Sequence, residues 1–197
     1  MNCYLCGEQD LVRLTEHLRS GPGVVLYCDA CDLGILQDRP NDLKEYYEKE
    51  YRKTHGPRLG QQSDYAELFD AYVAHQGQRV ELLKPWLDRT MRLLEVGCGT
   101  GQFLYNVKGS VREVVGVDID PSAAKFAARS CKCDAFGGRL EDAPLAVASF
   151  DVVCSMQTME HVEDPVDFAR TLARYLKPGG RVFVEVPSLS DPLLSIY

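Results

Sequence analysis

The chain has 197 residues, 45% hydrophobic and 26% charged, which is the composition of an ordinary soluble protein with one mid-sized domain and a small appendage. Its 22 basic and 29 acidic residues give a net charge of −7, which argues against a nucleic-acid binder that relies on a broad basic face. No apolar run approaches the ~20 residues of a membrane span. The start lacks the layout of a signal peptide, so the eight cysteines are expected to be reduced thiols in a cytoplasmic protein.

Residues 1–37 contain two cysteine knuckles, Cys3-x-x-Cys6 and Cys28-x-x-Cys31, separated by 21 residues. This spacing is close to that of four-thiolate zinc sites, and so short a segment cannot build a self-sufficient core. We therefore predict a zinc-ribbon-like domain holding one structural Zn through Cys3, Cys6, Cys28 and Cys31. A redox role for either pair is the alternative. The other cysteines are expected to be small buried or half-buried residues, and they are Cys98, Cys131, Cys133 and Cys154.

Residues 38–89 are predicted to form a helical linker and cap. DLKEYYEKEY favours a short helix with Asn41 as its N-cap, and apolar residues recur at helical spacing from Tyr65 to Leu87. Gly77 weakens that second stretch, which is therefore one helix or two. Four linker residues form either a lid over a substrate or a packing surface for the linker helix, and they are Tyr46, Tyr47, Tyr51 and His55.

Residues 90–197 alternate strands with helices. The predicted strands are MRLLEV, REVVGVDI, CDAF, FDVVCSM and RVFVEVP. Asp120 and Asp164 each precede a proline and mark helix starts, and Pro178-Gly179-Gly180 stops the last helix. This pattern predicts an α/β fold with a Rossmann-like, doubly wound, mostly parallel sheet.

The segment LLEVGCGTGQFL places Gly97, Gly99 and Gly101 just after the first of these strands, where doubly wound folds bind ligands. A phosphate-binding P-loop is excluded because Gly101 is not followed by Lys-Ser or Lys-Thr. In the dinucleotide fingerprint the third glycine would fall at Gln102, although some proteins of that class vary there.

Two acidic residues narrow the choice of ligand. Glu95 would repel a pyrophosphate by about 4 kcal/mol per charge pair, for a separation of about 4 Å and an effective dielectric constant of about 20. The same carboxylate would attract an ammonium or a sulfonium. Asp118 ends the second strand, where a carboxylate accepts hydrogen bonds from ribose hydroxyls. The combination suits an adenosine with a cationic tail, as in S-adenosylmethionine.

Four motifs in order, E-x-G-x-G-x-G, GVDIDPSAAKFA, SFDVVCSMQTMEHVEDP and LKPGGRVFVEVP, resemble the class I S-adenosylmethionine-dependent methyltransferases over about residues 80–188. The resemblance implies that the glycine loop lies against the methionine and ribose, that Asp118 binds the ribose and that Ile119 packs on adenine. It also implies that Glu95 helps to bind the ammonium through water and that Gln157 faces the methionine end and the acceptor. Arg139 stands where many relatives have an acid, so Leu140 or Glu141 is expected at the adenine edge. S-adenosylhomocysteine would be the product.

A zinc ribbon ahead of these motifs resembles a bacterial and archaeal group linked to sugar and surface-polysaccharide biosynthesis, which implies a small-molecule, sugar-linked acceptor. Ribosomal-RNA guanine methyltransferases also begin with a zinc ribbon, but the net charge of −7 disfavours them. An RNA or protein methyltransferase whose ribbon recruits the substrate, and a non-catalytic cofactor-binding module, are the alternatives.

The catalytic base is not fixed by the sequence. His161, beside Glu160, is the best candidate, and a structural histidine at a helix start is the equal alternative. Related sheets have seven strands and five are visible, so we expect a core that is incomplete at the carboxyl end; a short protein with an exposed fifth strand is the alternative. Pairing of two copies through that strand would give a homodimer.

Overall fold

The computed structural model describes residues 2–18, 21–37 and 64–189. The predicted helix DLKEYYEKEY, its cap Asn41 and the four candidate lid residues lie outside the described residues, as does the segment 190–197. Among the described residues, no helix combines the length and the apolar character needed to cross a membrane.

The amino-terminal lobe is a three-stranded antiparallel sheet. Its strands are β1 (Val12–Leu18), β2 (Gly21–Cys28) and β3 (Leu33–Leu36), in the order β1-β2-β3. Within the described part of the lobe, the buried apolar cluster consists of Cys3, Cys28 and Ile35. A cluster this small buries too little apolar surface to offset the conformational entropy of ordering the lobe.

The segment before the main domain forms two short helices, α1 (Tyr65–Val73) and α2 (Gly77–Leu83), each followed by a 3₁₀ turn. A capping box starts α1: the Asp64 side chain accepts from the Glu67 N–H at 2.8 Å, and the Glu67 side chain accepts in return from the Asp64 N–H. The 3₁₀ turn Ala74–Gln76 separates the two helices, and α2 begins at Gly77. The two-helix alternative is therefore correct.

The main domain alternates strands and helices. Its elements are β4 (Arg92–Val96), α3 (Gln102–Val107), β5 (Glu113–Asp118), α4 (Pro121–Cys131), β6 (Asp134–Gly137), β7 (Phe150–Met156), α5 (Pro165–Tyr175) and β8 (Leu176–Glu185). All five strands pair in parallel, in the order β6-β5-β4-β7-β8. The order reverses direction between β4 and β7, which makes their carboxyl ends the switch point of a doubly wound sheet and confirms the predicted fold class.

Side chains on the central strands alternate between two cores. Leu93 and Val152 pack on one face with α2, α3 and α4, whereas Leu94 and Val153 pack on the other with α5. The alternation is the two-residue period of a strand that is covered on both faces, and it explains why these strands read as continuous apolar runs.

The caps predicted at Asp120 and Asp164 are confirmed. Asp120 accepts from the N–H groups of Ser122 and Ala123 at 2.8 and 3.1 Å, and Asp164 caps α5 in the same way. The end of α5 differs from expectation, because the helix stops at Tyr175 and β8 begins at once with Leu176.

The early start of β8 has a local cause. Leu176 pairs with Phe150, and Gly179 takes a φ of 80°, so Pro178-Gly179-Gly180 forms an irregularity within the strand instead of a loop before it. On the described edge of the sheet, Val182 and Val184 of β8 are exposed. Just after β8, Leu189 lies against Gly34 of the amino-terminal lobe.

Candidate cofactor and metal sites

The glycine loop joins β4 to α3 at the switch point. Gly97, Gly99 and Gly101 have φ angles of 81°, 51° and 88°, the left-handed region that side chains other than glycine rarely adopt. A Cβ on Gly97 would lie 2.0 Å from Oγ1 of Thr158, and one on Gly101 would lie 2.7 Å from Sγ of Cys131. Around Gly99, by contrast, the nearest atom would be 3.9 Å away. The loop is therefore packed at both ends and open in its middle, where a ligand can approach the backbone.

Glu95 lies beneath this loop near the end of β4. Its side chain is 4% exposed, and its Oε2 atom has no hydrogen-bond partner among the described residues. Burial raises the pKa of this carboxyl well above its ordinary value; Arg79 opposes the rise and Asp118 adds to it. A buried acid without a partner is costly in a protein interior. A cationic group bound at this position would supply the missing partner.

Asp118, at the end of β5, holds the glycine loop. Its Oδ2 atom accepts from the Gly99 N–H at 2.6 Å, and its Oδ1 atom accepts from the Asp120 N–H at 2.9 Å. Because two carboxylate oxygens offer about four acceptor sites, both can also accept from ribose hydroxyls. The half-buried side chain of Ile119 follows directly, at the position expected for packing on adenine.

Leu140 lies in a 3₁₀ turn, Leu140–Asp142, after β6. Its side chain is buried in the core on the α5 face, and its carbonyl accepts from the Tyr175 hydroxyl at 3.2 Å. The neighbouring Glu141 pairs with Arg139 at 3.3 Å on the surface. The expected contact at the adenine edge would thus come from the backbone of this turn or from Glu141, and it stays a prediction.

Gln157 follows β7 on the other side of the switch point. It is exposed and has a φ of 50°, unusual for glutamine. Its N–H donates to the Glu185 carbonyl at 2.8 Å, and its side-chain amide donates to the Glu185 carboxylate at 3.0 Å. These bonds fix the turn that presents Gln157 beside the loop.

Sequence reasoning missed Arg79 and Glu185. Glu185 ends β8, and Arg79 of α2 donates through Nε to its Oε2 at 2.8 Å. The same Arg79 contacts Gln76 at 2.9 Å and faces Glu95 closely enough to lower its pKa. An acid at the carboxyl end of an apolar strand was the signal used for Asp118, and it would also have found Glu185.

The two candidate catalytic residues lie in the 3₁₀ turn Met159–His161. His161 Nε2 is 3.7 Å from Glu160 Oε1, while Glu160 Oε2 is buried without a hydrogen-bond partner among the described residues. Burial raises the pKa of Glu160, and Glu185 adds to the rise. The turn therefore brings the two candidate residues together, shortly after Gln157.

The four knuckle cysteines converge in the amino-terminal lobe. The Sγ atoms of Cys3, Cys6, Cys28 and Cys31 all lie within 4.8 Å of one another, and those of Cys6 and Cys28 are 3.7 Å apart. A tetrahedron of zinc–sulfur bonds of about 2.3 Å requires sulfur atoms about 3.8 Å apart. A hydrogen bond from the Cys6 backbone lowers the pKa of Cys3 to about 7, whereas the hydrogen bond with the Cys6 side chain raises the pKa of Cys31 to about 12. Without a metal, Cys3 is therefore more readily ionised than Cys31. The donor set fits Zn²⁺.

The remaining cysteines lie in the main domain, and Cys98, Cys131 and Cys154 are buried while Cys133 is half-buried, as predicted.

The main domain is similar to known methyltransferases. Residues 94–184 match the family model described as a methyltransferase domain. The chain is 37% identical over 97 residues to a probable S-adenosylmethionine-dependent methyltransferase of Mycolicibacterium smegmatis, covering 49% of this chain and 38% of that protein. It is 36% identical over 99 residues to the ubiquinone biosynthesis O-methyltransferase of Xanthomonas oryzae, covering 47% of this chain and 41% of that enzyme.

A solved structure shares the fold. The S-adenosylmethionine-dependent methyltransferase of Aquifex aeolicus superposes with a TM-score of 0.52 at 17% identity, covering 68% of this chain and 81% of that one. The curated relatives match the chain over less than half of their own length. The region matched by the family model, residues 94–184, includes the glycine loop.

Proposed function

We propose that this protein transfers a methyl group from S-adenosylmethionine to a small-molecule acceptor, because residues 94–184 match a methyltransferase domain model and the chain is similar to a probable S-adenosylmethionine-dependent methyltransferase. The observation that carries the proposal is Glu95, a buried carboxyl group with an unpartnered oxygen beneath an open glycine loop. Such a carboxyl would bind the ammonium of the cofactor and would be disfavoured beside a pyrophosphate.

Each part of the cofactor has a complementary residue. The backbone from Gly97 to Gly101 would lie against the methionine and ribose, and Asp118 would accept from the ribose hydroxyls. Ile119 would pack on adenine, with the turn at Leu140 along the adenine edge. Arg79, which is close to Glu95, would meet the carboxylate of the same amino-acid tail.

When bound, S-adenosylmethionine supplies a methyl group on a sulfonium, which is a good leaving group. The protein's task is then to hold the acceptor in line and to remove its proton. Gln157 and Glu185 would position the acceptor at the ends of β7 and β8. His161 would accept the proton, and Glu160, 3.7 Å away, would orient its ring.

A sugar-linked acceptor is the favoured substrate class. Its support is the combination of a four-thiolate lobe with this methyltransferase domain, together with a net charge of −7 that disfavours RNA. The similarity to a ubiquinone biosynthesis O-methyltransferase favours a phenolic acceptor as the second candidate. In either case the Zn²⁺ held by Cys3, Cys6, Cys28 and Cys31 would be structural, because a closed four-thiolate site leaves no position for substrate.

The test is calorimetry followed by turnover. S-adenosylhomocysteine should bind at micromolar concentrations, about −8 kcal/mol. Asp118→Asn should weaken the binding of S-adenosylhomocysteine by about 1.5–3 kcal/mol. When the ligand lacks a ribose hydroxyl, the loss of affinity should be smaller for this variant than for the wild type. Lys125→Ala, on the exposed side of α4, is the matched control and should bind normally. Absence of binding by the folded wild type would contradict the proposal.

Methyl transfer to nucleotide sugars, to a catechol and to RNA would then be compared. Turnover of the sugars alone supports the favoured acceptor, and turnover of the catechol supports the second. Turnover of RNA would support recruitment by the lobe. Cofactor binding without any turnover would favour the non-catalytic alternative.

Association of two copies through β8, and a cytoplasmic location, stay predictions. Val182 and Val184 on the exposed face of that strand support the first. Light scattering at several concentrations would give the mass, and Val184→Lys should reduce any dimer.

A further inference from the structure

Two thiols occur at the end of α4. Cys131 is the last residue of the helix, and Lys132 follows in the left-handed conformation, with φ 55° and ψ 52°. Cys133 comes next, and Cys131 and Cys133 both line one open groove. The pair is distinct from the four cysteines of the amino-terminal lobe, and nothing in the proposed methyl transfer requires it.

Cys131 also touches the glycine loop. Its buried thiol donates to the Gly101 carbonyl at 3.1 Å, and its Sγ fills the space that a Gly101 side chain would need. Gly101 is the residue at which the loop turns into α3. The Cys131 sulfur therefore packs directly against the end of the proposed cofactor loop.

Cys133 is the accessible member of the pair. It is half-buried and lines an open groove of about 720 Å³ together with Lys108, Arg112 and Lys132. The neighbouring Cys131 thiol and Lys108 lower the pKa of Cys133, and burial and Asp134 oppose them. The groove is large enough to admit a small disulfide to the Cys133 sulfur, and a thiolate is the form that attacks disulfides.

We propose that Cys131 and Cys133 are a thiol–disulfide exchange site, which a low-molecular-weight disulfide oxidises and which controls the packing of the glycine loop. In the first step the Cys133 thiolate attacks one sulfur of that disulfide, forming a mixed disulfide and expelling one thiolate. In the second, Cys131 gives up its proton and attacks the Cys133 sulfur, expelling the other thiolate. Two protein thiols are oxidised and one disulfide is reduced to two thiols.

Oxidation changes the contact with the loop. A disulfide sulfur carries no proton, so the hydrogen bond from Cys131 to the Gly101 carbonyl is lost. The Cys131 side chain must also turn toward Cys133, which leaves the space beside Gly101 unfilled. We therefore expect faster amide exchange in residues 97–104 of the oxidised protein. The further effect, about 10-fold weaker binding of S-adenosylhomocysteine, rests on the proposed function.

The experiment treats the full zinc-loaded chain with oxidised glutathione. Peptides are mapped by mass spectrometry after digestion with a protease that does not cleave at Lys132, so that a Cys131–Cys133 disulfide appears as the loss of two hydrogens from one peptide. Hydrogen exchange of residues 97–104 is measured before and after oxidation and again after reduction. Calorimetry with S-adenosylhomocysteine follows on the same samples.

Cys133→Ser should form no such disulfide and should show unchanged exchange in the loop. Cys154→Ser, which removes a buried cysteine of β7, is the matched control and should respond like the wild type. A persistent glutathione adduct on Cys133, no modification at all, or a disulfide with unchanged loop exchange would overturn the proposal. If the reduced protein fails to bind S-adenosylhomocysteine, the proposed function fails, while mapping and exchange still decide on the thiol pair.

Discussion

Arg79 and Glu185, 106 positions apart in the chain, form a forked ion pair in which two guanidinium nitrogens donate to the two carboxylate oxygens. The pair ties α2 to the carboxyl end of β8, beside Glu95 and Gln157. Its side chains are 27% and 36% exposed, so water screens the pair only in part. Helix α2 is thereby fixed over the switch point before any ligand arrives.

Replacing Arg79 by Met should lower the free energy of unfolding by roughly 1–2 kcal/mol, because the variant leaves the half-buried Glu185 carboxylate without its cation. The same change should weaken the binding of S-adenosylhomocysteine, since Arg79 also faces Glu95. Urea denaturation and calorimetry measure the two effects. Lys84→Met breaks the exposed pair with Glu81, and it should cost less than about 0.5 kcal/mol. Equal losses in the two variants would contradict the assigned role of Arg79.

Glu95→Gln should weaken binding of S-adenosylhomocysteine about 10- to 100-fold, because the variant retains the shape of the side chain but not the charge that meets the ammonium. It should not destabilise the free protein at neutral pH, where the wild type carries a buried carboxyl group with an unpartnered oxygen. Calorimetry and denaturation of the same preparations check both statements. Unchanged affinity in the folded variant would remove Glu95 from the site.

The pH dependence of stability gives a second test of Glu95. Folding raises its pKa, so the folded state holds the proton more tightly than the unfolded chain does. Its contribution to stability is therefore complete in acid, below the ordinary glutamate pKa of about 4.3, and is lost as pH rises toward the raised value. Relative to Glu95→Gln, the wild type should lose stability over this range, as denaturation at a series of pH values would show.

Cofactor binding should instead favour the ionised form of Glu95. The ammonium favours ionised Glu95, so binding should release a proton and affinity should increase with pH. Calorimetry in two buffers with different ionisation enthalpies measures the released proton directly. Proton uptake on binding would contradict the arrangement.

Gly97→Ala should destabilise the domain by about 3 kcal/mol or more. The left-handed backbone accounts for about 1–2 kcal/mol, and the clash with Thr158 accounts for the rest. Gly99→Ala is the matched control, because it has the same backbone strain but its nearest neighbouring atom would be 3.9 Å away. Thr158→Gly in the Gly97→Ala background should recover the difference in stability between Gly97→Ala and Gly99→Ala. If that stability is not recovered, the clash with Thr158 is not its cause.

Protein purified without added metal should contain about one zinc per chain, and Cys6→Ser should lower that content. The same variant should lose amide protection in β2 and β3, since the lobe's buried apolar cluster is too small to stay folded without a ligand. Elemental analysis and hydrogen exchange measure the two effects, with Cys133→Ser as the control. Absence of metal from the reduced wild type would contradict the assignment.

What the sequence predicted was local or periodic. The apolar runs located the five strands, the Asp-Pro pairs located the starts of α4 and α5, and the two knuckles located the thiol cluster, because each signal lies within a few residues. The contact of Arg79 with Glu185 was not predictable in this way, since it joins two elements only after the sheet has formed. The same holds for the left-handed Gln157, whose conformation is fixed by bonds to β8 and not by its neighbours in sequence.

The strand order β6-β5-β4-β7-β8 has a consequence for the nascent chain during translation. β4, β5 and β6 are neighbours both in sequence and in the sheet, so this half can pair as soon as residue 137 has left the ribosome. The other edge of β4 then keeps unpaired backbone groups, including those opposite Cys154, until β7 is synthesised. A ribosomal pause that occurs after residue 137 has emerged and before β7 (Phe150–Met156) has emerged would lengthen the exposure of that edge. Because the exit tunnel covers the most recently made residues, the codons that control this interval lie downstream of those for β7.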